Sequence, residues 1–279
     1  MSTKRSCPSP PSSPAAPTVK TSLLDAFELR GWVCMRNLLS PSELHVLRDE
    51  CDALYARQSA EAVAAQGCVL DVMAQCPLKS NVDDQQVFTT LLFEKLPTIV
   101  GQLMAKCTKV VFFSEHYVVK PPKSHVEFRW HRDDDEQLAM CVHRETIAPY
   151  ISAWCALDDV TEVNGALQFV SLGGPDEDST ENMQHRASEP ENAEAGDVLF
   201  FLSNVWHCSS SNESDVPRRA FYAQYSRERI TAQPRDTSPL SFAIQCSPRT
   251  SALSVKNDCR IWSNNNNKKL KTSSCEPAE

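Results

Sequence analysis

Several features that would assign the chain to a membrane, secreted or thiol-based class are missing from the sequence. No run approaches the roughly 20 consecutive apolar residues that a membrane-spanning helix needs, and residues 1–22 lack the apolar segment of a secretory signal. None of the 12 cysteines forms a C-x-x-C pair. We therefore expect an intracellular, cytoplasmic protein with reduced thiols. Its last four residues, Glu-Pro-Ala-Glu, are not a peroxisomal address.

A basic excess is also missing. The 28 lysines and arginines are outnumbered by 36 aspartates and glutamates, which gives a formal net charge of −8 and a pI near 5.4. A nucleic acid bound through its phosphates is therefore not expected as a partner. No basic cluster points to the phosphates of coenzyme A. No internal repeat is visible, and no feature indicates an oligomeric state.

Composition divides the chain into one domain and two tails. Residues 1–20 carry five prolines among serines and alanines and are expected to be disordered. Residues 249–279, rich in asparagine and lysine near their end, form a low-complexity tail. The remaining residues 21–248 are long enough for one domain and too short for two. Within them we expect helices over residues 21–106 and a β core over about 107–230.

The N-terminal half predicts helices and one long strand. Ser40 and Glu43 have the spacing of a capping box, and Pro41 falls in the first turn of the helix that they begin. Pro97 is expected to interrupt a later helix. The other expected elements are helices over residues 23–30 and 86–106, a short strand over 32–35, and a β-branched and aromatic strand over 110–120.

The second half is dominated by strand patterns. Residues 149–158 alternate between two kinds of side chain, and Asn164-Gly165 is a strong reversal signal before the short run at 166–171. We therefore expect residues 149–158 and 166–171 to pair as an antiparallel hairpin. Two further strands are expected, over residues 196–202 and 217–225.

The stretch Trp130-His131-Arg132-Asp133 carries the clearest chemistry. His131 and Asp133 are two residues apart, so on a strand that continues through both residues their side chains share one face. His207 follows an apolar strand and offers a third ligand. Two histidines and one carboxylate are the facial triad of non-haem Fe(II) enzymes, which keeps positions open for a co-substrate and oxygen. An H-x-D spacing alone is unspecific, and the surrounding strands give it weight.

The order of these motifs resembles the phytanoyl-CoA dioxygenase family of Fe(II)/2-oxoglutarate oxygenases over roughly residues 115 to 226. The matching segments are His131-Arg-Asp133, Trp154-Cys-Ala-Leu-Asp-Asp-Val160, Asn164-Gly-Ala-Leu167, Gly196-Asp197, His207, Asn212 and Arg218-Arg-Ala220. The resemblance implies a mainly β fold with flanking helices, namely a double-stranded β-helix, the cupin-like jelly roll, of about eight strands.

The same resemblance implies roles for four residues. His131, Asp133 and His207 would bind Fe(II) and form the catalytic centre. Arg218 would anchor the distal carboxylate of 2-oxoglutarate, because its planar guanidinium can bind a carboxylate through two parallel hydrogen bonds.

Three more residues are candidates for co-substrate contacts. Trp154 and Ser209 match positions that flank 2-oxoglutarate in relatives. His116 stands where relatives carry a methionine or glutamine near the co-substrate. It either contacts 2-oxoglutarate or is a strand histidine without that role, and we favour the second interpretation.

The activity implied is that of a 2-oxoglutarate-dependent dioxygenase, an oxidoreductase that uses O2 and that ascorbate can assist. We expect it to hydroxylate a small organic molecule and to release succinate and CO2. Halogenating relatives replace the triad aspartate by a small residue, whereas Asp133 is present here, so hydroxylation or desaturation is favoured. The alternative is a cupin-like metal- or ligand-binding module without turnover, and the intact triad with Arg218 counts against it.

Overall fold

The computed structural model describes residues 22–57, 69–71, 82–105, 107, 109–173 and 180–246. The disordered segment predicted for residues 1–20 and the tail predicted for 249–279 lie outside these residues. The described strands are β1 (Trp32–Met35), β2 (Val69–Asp71), β3 (Val110–Lys120), β4 (Phe128–His131), β5 (Ile151–Ala156), β6 (Leu167–Phe169), β7 (Val198–Leu202), β8 (His207–Ser209), β9 (Arg218–Ser226) and β10 (Ile244–Cys246). The α-helices are α1 (Leu23–Arg30), α2 (Pro41–Tyr55), α3 (Val82–Thr90), α4 (Leu96–Leu103), α5 (Asp133–Gln137) and α6 (Thr180–Arg186).

These strands form two antiparallel sheets. The large sheet has the order β1-β7-β5-β9-β3-β10, with β2 also paired to β3, and the small sheet has the order β4-β8-β6. The large sheet therefore includes β1, β2 and β10, which come from outside residues 107–230. The predicted mainly β architecture with flanking helices is confirmed.

The register of the large sheet determines which side chains face the small sheet. On β3 and β9, His116 is opposite Tyr222 and Lys120 is opposite Arg218. On β5, Trp154 is also opposite Tyr222. Because cross-strand partners project from the same face, these side chains share one surface. Trp154 and Tyr222 pack in one cluster with residues of β6, so this surface is the barrel interior.

The outer face of the large sheet is covered by α2, α3 and α4, which bury a second apolar cluster against it. The predicted capping box is present: the Glu43 amide donates to Ser40 Oγ, and the Ser40 amide donates to the Glu43 carboxylate. Tyr117, on the outer face of β3, donates a 2.6 Å hydrogen bond to Glu50 of α2. No helix in the described part of the chain is long and apolar enough to cross a bilayer.

The helix predicted over residues 86–106 is present, but it begins earlier and includes a π-helical segment. It starts at Val82, and a π-helical segment, Leu91–Lys95, separates α3 from α4. In this segment the Leu96 amide donates to the Leu91 carbonyl, five residues back. Pro97 follows directly and has no amide hydrogen to continue the ladder, so the predicted interruption near Pro97 is confirmed.

The hairpin predicted for residues 149–158 and 166–171 was wrong. β5 pairs with β7 and β9 in the large sheet, whereas β6 pairs with β8 in the small sheet. The Asn164-Gly165 reversal is real, but it carries the chain from one sheet to the other. Gly165 has a φ of +88°, and a Cβ there would collide with the Ser210 carbonyl, so the turn requires glycine.

Candidate active site

His131 and Asp133 reach the interior by different routes. β4 ends at His131, and Asp133 is the first residue of the short helix α5. The expectation that one continuous strand presents both side chains was therefore wrong. The chain turns at Arg132, whose backbone is still extended, and this turn directs the Asp133 carboxylate inward, where it is 8% exposed.

His131, Asp133 and His207 come together at one end of the barrel. One ligand atom from each of them lies within 4.8 Å of the others, and Nε2 of His207 is 3.5 Å from Oδ1 of Asp133. β4 and β8 are neighbours in the small sheet, with His131 directly opposite His207. This pairing brings together two histidines that are far apart in the sequence.

Backbone carbonyls orient both imidazoles. Nδ1 of His131 is 2.7 Å from the Arg129 carbonyl oxygen, and Nδ1 of His207 is 3.0 Å from the Val205 carbonyl oxygen. A carbonyl only accepts, so Nδ1 carries a proton in both rings, and in the neutral imidazole Nε2 is the nitrogen with the free lone pair. This is the tautomer that a metal ligand needs, with the second ring nitrogen tied to the protein.

His207 is held in its neutral form. It is 3% exposed and packs near the rings of Phe169 and Phe201. Burial, reinforced by the neighbouring His131, lowers the pKa of His207 to about 4. The imidazole is therefore unprotonated at neutral pH and available to a cation.

Three side chains that the sequence analysis missed converge on the second oxygen of Asp133. Oδ2 accepts hydrogen bonds from Ser152 Oγ at 2.7 Å, Tyr222 OH at 2.5 Å and Gln224 Nε2 at 3.3 Å. Ser152 and Gln224 are cross-strand partners on β5 and β9. With Oδ2 held in this way, Oδ1 is the oxygen directed at the His207 imidazole.

The two aspartates next to Asp133 have other surroundings. Asp135 is paired with Arg132 at 2.8 Å and with Arg144 at 3.0 Å. The Asp134 side chain is partly buried, and burial raises its pKa to about 6. Among the described residues, only the first of the three aspartates joins the histidine pair.

Arg218 lies deeper in the same interior. It is 1% exposed, and its guanidinium donates to the Gly165 carbonyl at 2.8 Å. The same group lies over the Trp154 ring, 5.3 Å from the ring centroid. Trp154 and Arg218 therefore lie against each other in the interior. Arg219 points to the opposite face, where it pairs with Asp158 and Asp52.

Small side chains separate the histidine cluster from the arginine. Arg218 and Tyr222 are four residues apart on β9, about 13 Å along an extended strand. Between them Ala220 faces inward, with Ala156 opposite it on β5. Both alanines are fully buried. A short dicarboxylate lying along β9 would meet methyl groups in the middle and polar groups at its two ends.

The remaining candidates also line the interior. Ser209 is two residues beyond His207 and is 3% exposed, and its hydroxyl accepts a 2.7 Å hydrogen bond from Lys120. Lys120 was not predicted from the sequence, because a lysine at the end of a strand usually lies at the surface. His116 stacks on Tyr222, with ring centroids 4.6 Å apart, and therefore lies one side chain away from Asp133.

A jelly roll with two histidines, one carboxylate and a buried arginine in its interior is the architecture of the 2-oxoglutarate-dependent non-haem iron enzymes. A model of the phytanoyl-CoA dioxygenase (PhyH) family matches residues 27–220. The chain belongs to this family and is a dioxygenase-type oxidoreductase. No curated protein sequence matches the chain.

Solved structures of other proteins share this fold. EctD from S. alaskensis, solved with 2-oxoglutarate and 5-hydroxyectoine, has a TM-score of 0.59 and 20% identity over 85% of this chain and 88% of its own. AviO1 from Streptomyces viridochromogenes Tue57 has a TM-score of 0.59 and 18% identity over 81% of this chain and all of its own. The epimerase SnoN, solved with Fe3+, alpha ketoglutarate and nogalamycin RO, has a TM-score of 0.55 and 18% identity over 81% of this chain and 96% of its own. The predicted jelly roll is confirmed.

Proposed function

We propose that the protein hydroxylates a small organic molecule, using Fe(II), 2-oxoglutarate and O2. The observation that carries this proposal is the position of the His131, Asp133 and His207 ligand atoms, within 4.8 Å of one another, on the same barrel interior as the buried Arg218. A 2-oxo dicarboxylate needs a metal ion at its 2-oxo acid end and a positively charged side chain at its distal carboxylate, and this interior offers ligands for the first and Arg218 for the second.

The donor set fits Fe(II). Two neutral imidazole nitrogens and one carboxylate oxygen are the ligands that such sites use, and each is already oriented by a hydrogen bond to the protein. Bound iron would supply the oxidative decarboxylation of 2-oxoglutarate to succinate and CO2, with transfer of one oxygen atom to the substrate. His131, Asp133 and His207 would hold the cation through three ligand atoms, one from each side chain.

The distal carboxylate of 2-oxoglutarate would lie against Arg218. The guanidinium is held between the Gly165 carbonyl and the Trp154 ring, so it binds without reorganising. Burial strengthens a charge-assisted pair, because water no longer competes with it. The Ser209 hydroxyl would donate to the same carboxylate. His116, stacked on Tyr222, would line the pocket without bonding the co-substrate.

Several reaction outcomes are known among proteins of this fold, since the similar structures include a carbocyclase, SnoK, and an epimerase, SnoN. Halogenation is disfavoured here, because the Asp133 carboxylate occupies the position that chloride would need. Hydroxylation is the outcome that requires the least of the pocket, since the oxygen atom is delivered to the carbon from which hydrogen is removed.

We propose a small molecule other than an acyl-coenzyme A as substrate. The chain is acidic, with a net charge of −8, and its sequence has no basic cluster for the coenzyme A phosphates. Two of the similar structures hold small metabolites: EctD holds 5-hydroxyectoine and SnoN holds nogalamycin RO. Specificity is expected to reside in residues 121–129, 138–149 and 173–190.

A metabolite-extract screen tests this function. The protein is incubated with extract, Fe(II), ascorbate and 2-oxoglutarate, and products are compared with a reaction that lacks 2-oxoglutarate and with the Asp133→Ala variant. Hydroxylation predicts a product that has gained one oxygen atom only in the complete reaction. A product that has lost two hydrogens would indicate ring closure or desaturation, and one of unchanged mass would indicate epimerisation; either would overturn hydroxylation.

A further inference from the structure

The junction between α1 and β1 lies against the segment that leads to His207. Gly31, at this junction, is buried and has a φ of +90°, a conformation that residues with a side chain rarely adopt. Its carbonyl accepts a 2.9 Å hydrogen bond from the amide of Leu202, the last residue of β7. The β7–β8 turn, residues 202–205, is therefore fixed at its start to the N-terminal part of the chain.

A series of hydrogen bonds continues from this contact to His207. The Leu202 carbonyl accepts from the Val205 amide at 3.1 Å, and the Val205 carbonyl is 3.0 Å from Nδ1 of His207. Val205 is fully buried. Because the Val205 carbonyl orients the imidazole through Nδ1, its position also determines the direction of Nε2, the nitrogen that faces a metal.

The structure leaves no room for a side chain between Gly31 and the β7–β8 turn. A Cβ on Gly31 would collide with Cγ2 of Val205, and it would also lie 3.0 Å from Cγ of Leu172. The Leu172 amide donates to the Arg30 carbonyl at 3.2 Å, so this second neighbour is tied to the same junction. A methyl group at position 31 would therefore have to displace Val205.

The β7–β8 turn is also held from its other side. The Ser203 amide donates to the Tyr150 carbonyl at 2.9 Å, and the Ser203 carbonyl accepts from the Asp134 amide at 3.2 Å. Asp134 follows Asp133 directly. A push on the turn would therefore act on the carbonyl that orients His207 or on the amide beside Asp133, and either movement would alter the metal centre.

We propose that Gly31 is a positioning residue of the metal centre. The absence of a side chain at this position lets Val205 pack against the α1–β1 junction, and this packing places the carbonyl that orients His207. The N-terminal junction then contributes to iron binding although it supplies no ligand. This inference rests on the proposed use of His207 as a metal ligand. A glycine with a purely structural role would affect stability and leave metal affinity unchanged.

The test is anaerobic titration of the full-length protein with Fe(II), together with thermal unfolding. Gly31→Ala should lower Fe(II) affinity by about 10- to 100-fold, the range for losing the support of a metal ligand. Gly196→Ala is the matched control. Gly196 is also buried and has a φ of +99°, but a Cβ there would lie 3.5 Å from the Leu39 carbonyl oxygen, an ordinary contact. This variant should lose stability through backbone strain and keep the metal affinity of the wild type.

A second substitution separates positioning from stability. Val205→Ala removes the methyl group with which the new Cβ would collide, and it leaves the backbone carbonyl in place. The double variant Gly31→Ala/Val205→Ala should therefore recover most of the Fe(II) affinity that Gly31→Ala loses. It should remain less stable than the wild type, because truncating a buried valine leaves a cavity. Affinity regained in a destabilised protein is a result that a structural role does not predict.

Val205→Leu keeps the inference testable even if Gly31→Ala does not fold. It retains the glycine and crowds the same contact from the opposite side, so it should also lower Fe(II) affinity. The inference is overturned if Gly31→Ala binds Fe(II) as tightly as Gly196→Ala, if the double variant recovers no affinity, or if Val205→Leu binds Fe(II) like the wild type. A wild-type protein that binds no Fe(II) would instead contradict the proposed function.

Discussion

Tyr222 donates a 2.5 Å hydrogen bond to Asp133, from the centre of β9 to the first residue of α5. The bond is made to Oδ2, the oxygen turned away from the His207 imidazole, and Ser152 donates to the same atom. Both donors fix the carboxylate plane, so Oδ1 is presented to a cation before it binds. Loss of a supporting hydrogen bond of this kind typically lowers metal affinity or activity by about 10- to 100-fold.

Loss of the Tyr222 hydroxyl should therefore weaken metal binding. We expect Tyr222→Phe to lower Fe(II) affinity by about 10- to 100-fold, the typical cost of removing a supporting hydrogen bond. Tyr225→Phe is the control: it also removes a buried hydroxyl from β9, but that hydroxyl donates to the Leu92 carbonyl on the outer face. Anaerobic titration with Fe(II) gives both affinities, and equal values for the two variants would contradict this role.

The three consecutive aspartates allow a direct comparison of ligand and neighbour. Asp133→Ala removes the one carboxylate of the triad and should lower Fe(II) affinity by more than the roughly 10- to 100-fold typical of a lost supporting bond. Asp134→Ala should leave iron bound, because its side chain lies outside the histidine cluster. Metal content after dialysis checks this. Loss of iron from Asp134→Ala with retention in Asp133→Ala would show that the cluster is wrongly assigned.

Arg218 should govern co-substrate affinity without affecting the metal. Arg218→Ala is expected to weaken 2-oxoglutarate by about 2 to 4 kcal/mol, the scale for removing one partner of a buried charge pair. Arg219→Ala is the neighbouring control, since Arg219 is on the outer face with Asp158. Michaelis constants for 2-oxoglutarate and Fe(II) titrations separate the two effects. An unchanged Michaelis constant in Arg218→Ala would refute the anchor.

The buried His207 predicts a pH-dependent stability of the metal-free protein. Its pKa is about 4 in the folded state, against an ordinary value of 6.5, so between these values the unfolded chain binds a proton that the folded protein does not. Stability is therefore present above pH 6.5 and is lost as pH falls, by about 2 kcal/mol at pH 5. Urea unfolding at pH 7 and pH 5 in the presence of a chelator measures this change.

The matched variant for this prediction is His207→Gln, which removes the titrating group. Between pH 7 and pH 5 the variant should lose less stability than the wild type. The difference between the two losses should be about 2 kcal/mol, the contribution of His207. If the two proteins lose equal stability over that interval, His207 is not the group responsible.

Local sequence patterns predicted the elements whose causes are local. The capping box at Ser40, the strand at 32–35 and the long strand at 110–120 were confirmed, since caps and β-branched runs act within a few residues. The convergence of His131, Asp133 and His207 was also predictable, because the order of motifs in the sequence resembles that of the phytanoyl-CoA dioxygenase family.

What the sequence did not predict depends on long-range pairing. Ser152 and Tyr222 reach Asp133 only because β5 and β9 are neighbours in a particular register, and no local pattern encodes that register. From the sequence alone, Lys120 at the end of β3 would be expected at the surface, but in the structure it is buried against β8. The hairpin failed for a related reason, since the Asn164-Gly165 signal specifies a reversal but not the sheet that the returning strand joins.

The most direct test of the whole account is succinate release. Wild-type protein with Fe(II), ascorbate, O2 and 2-oxoglutarate, supplied with metabolite extract, should form succinate, and Asp133→Ala should form none under the same conditions. Metal binding by the wild-type protein without any succinate, across a broad panel of small substrates, would contradict the account and indicate a cupin-like binding module without turnover.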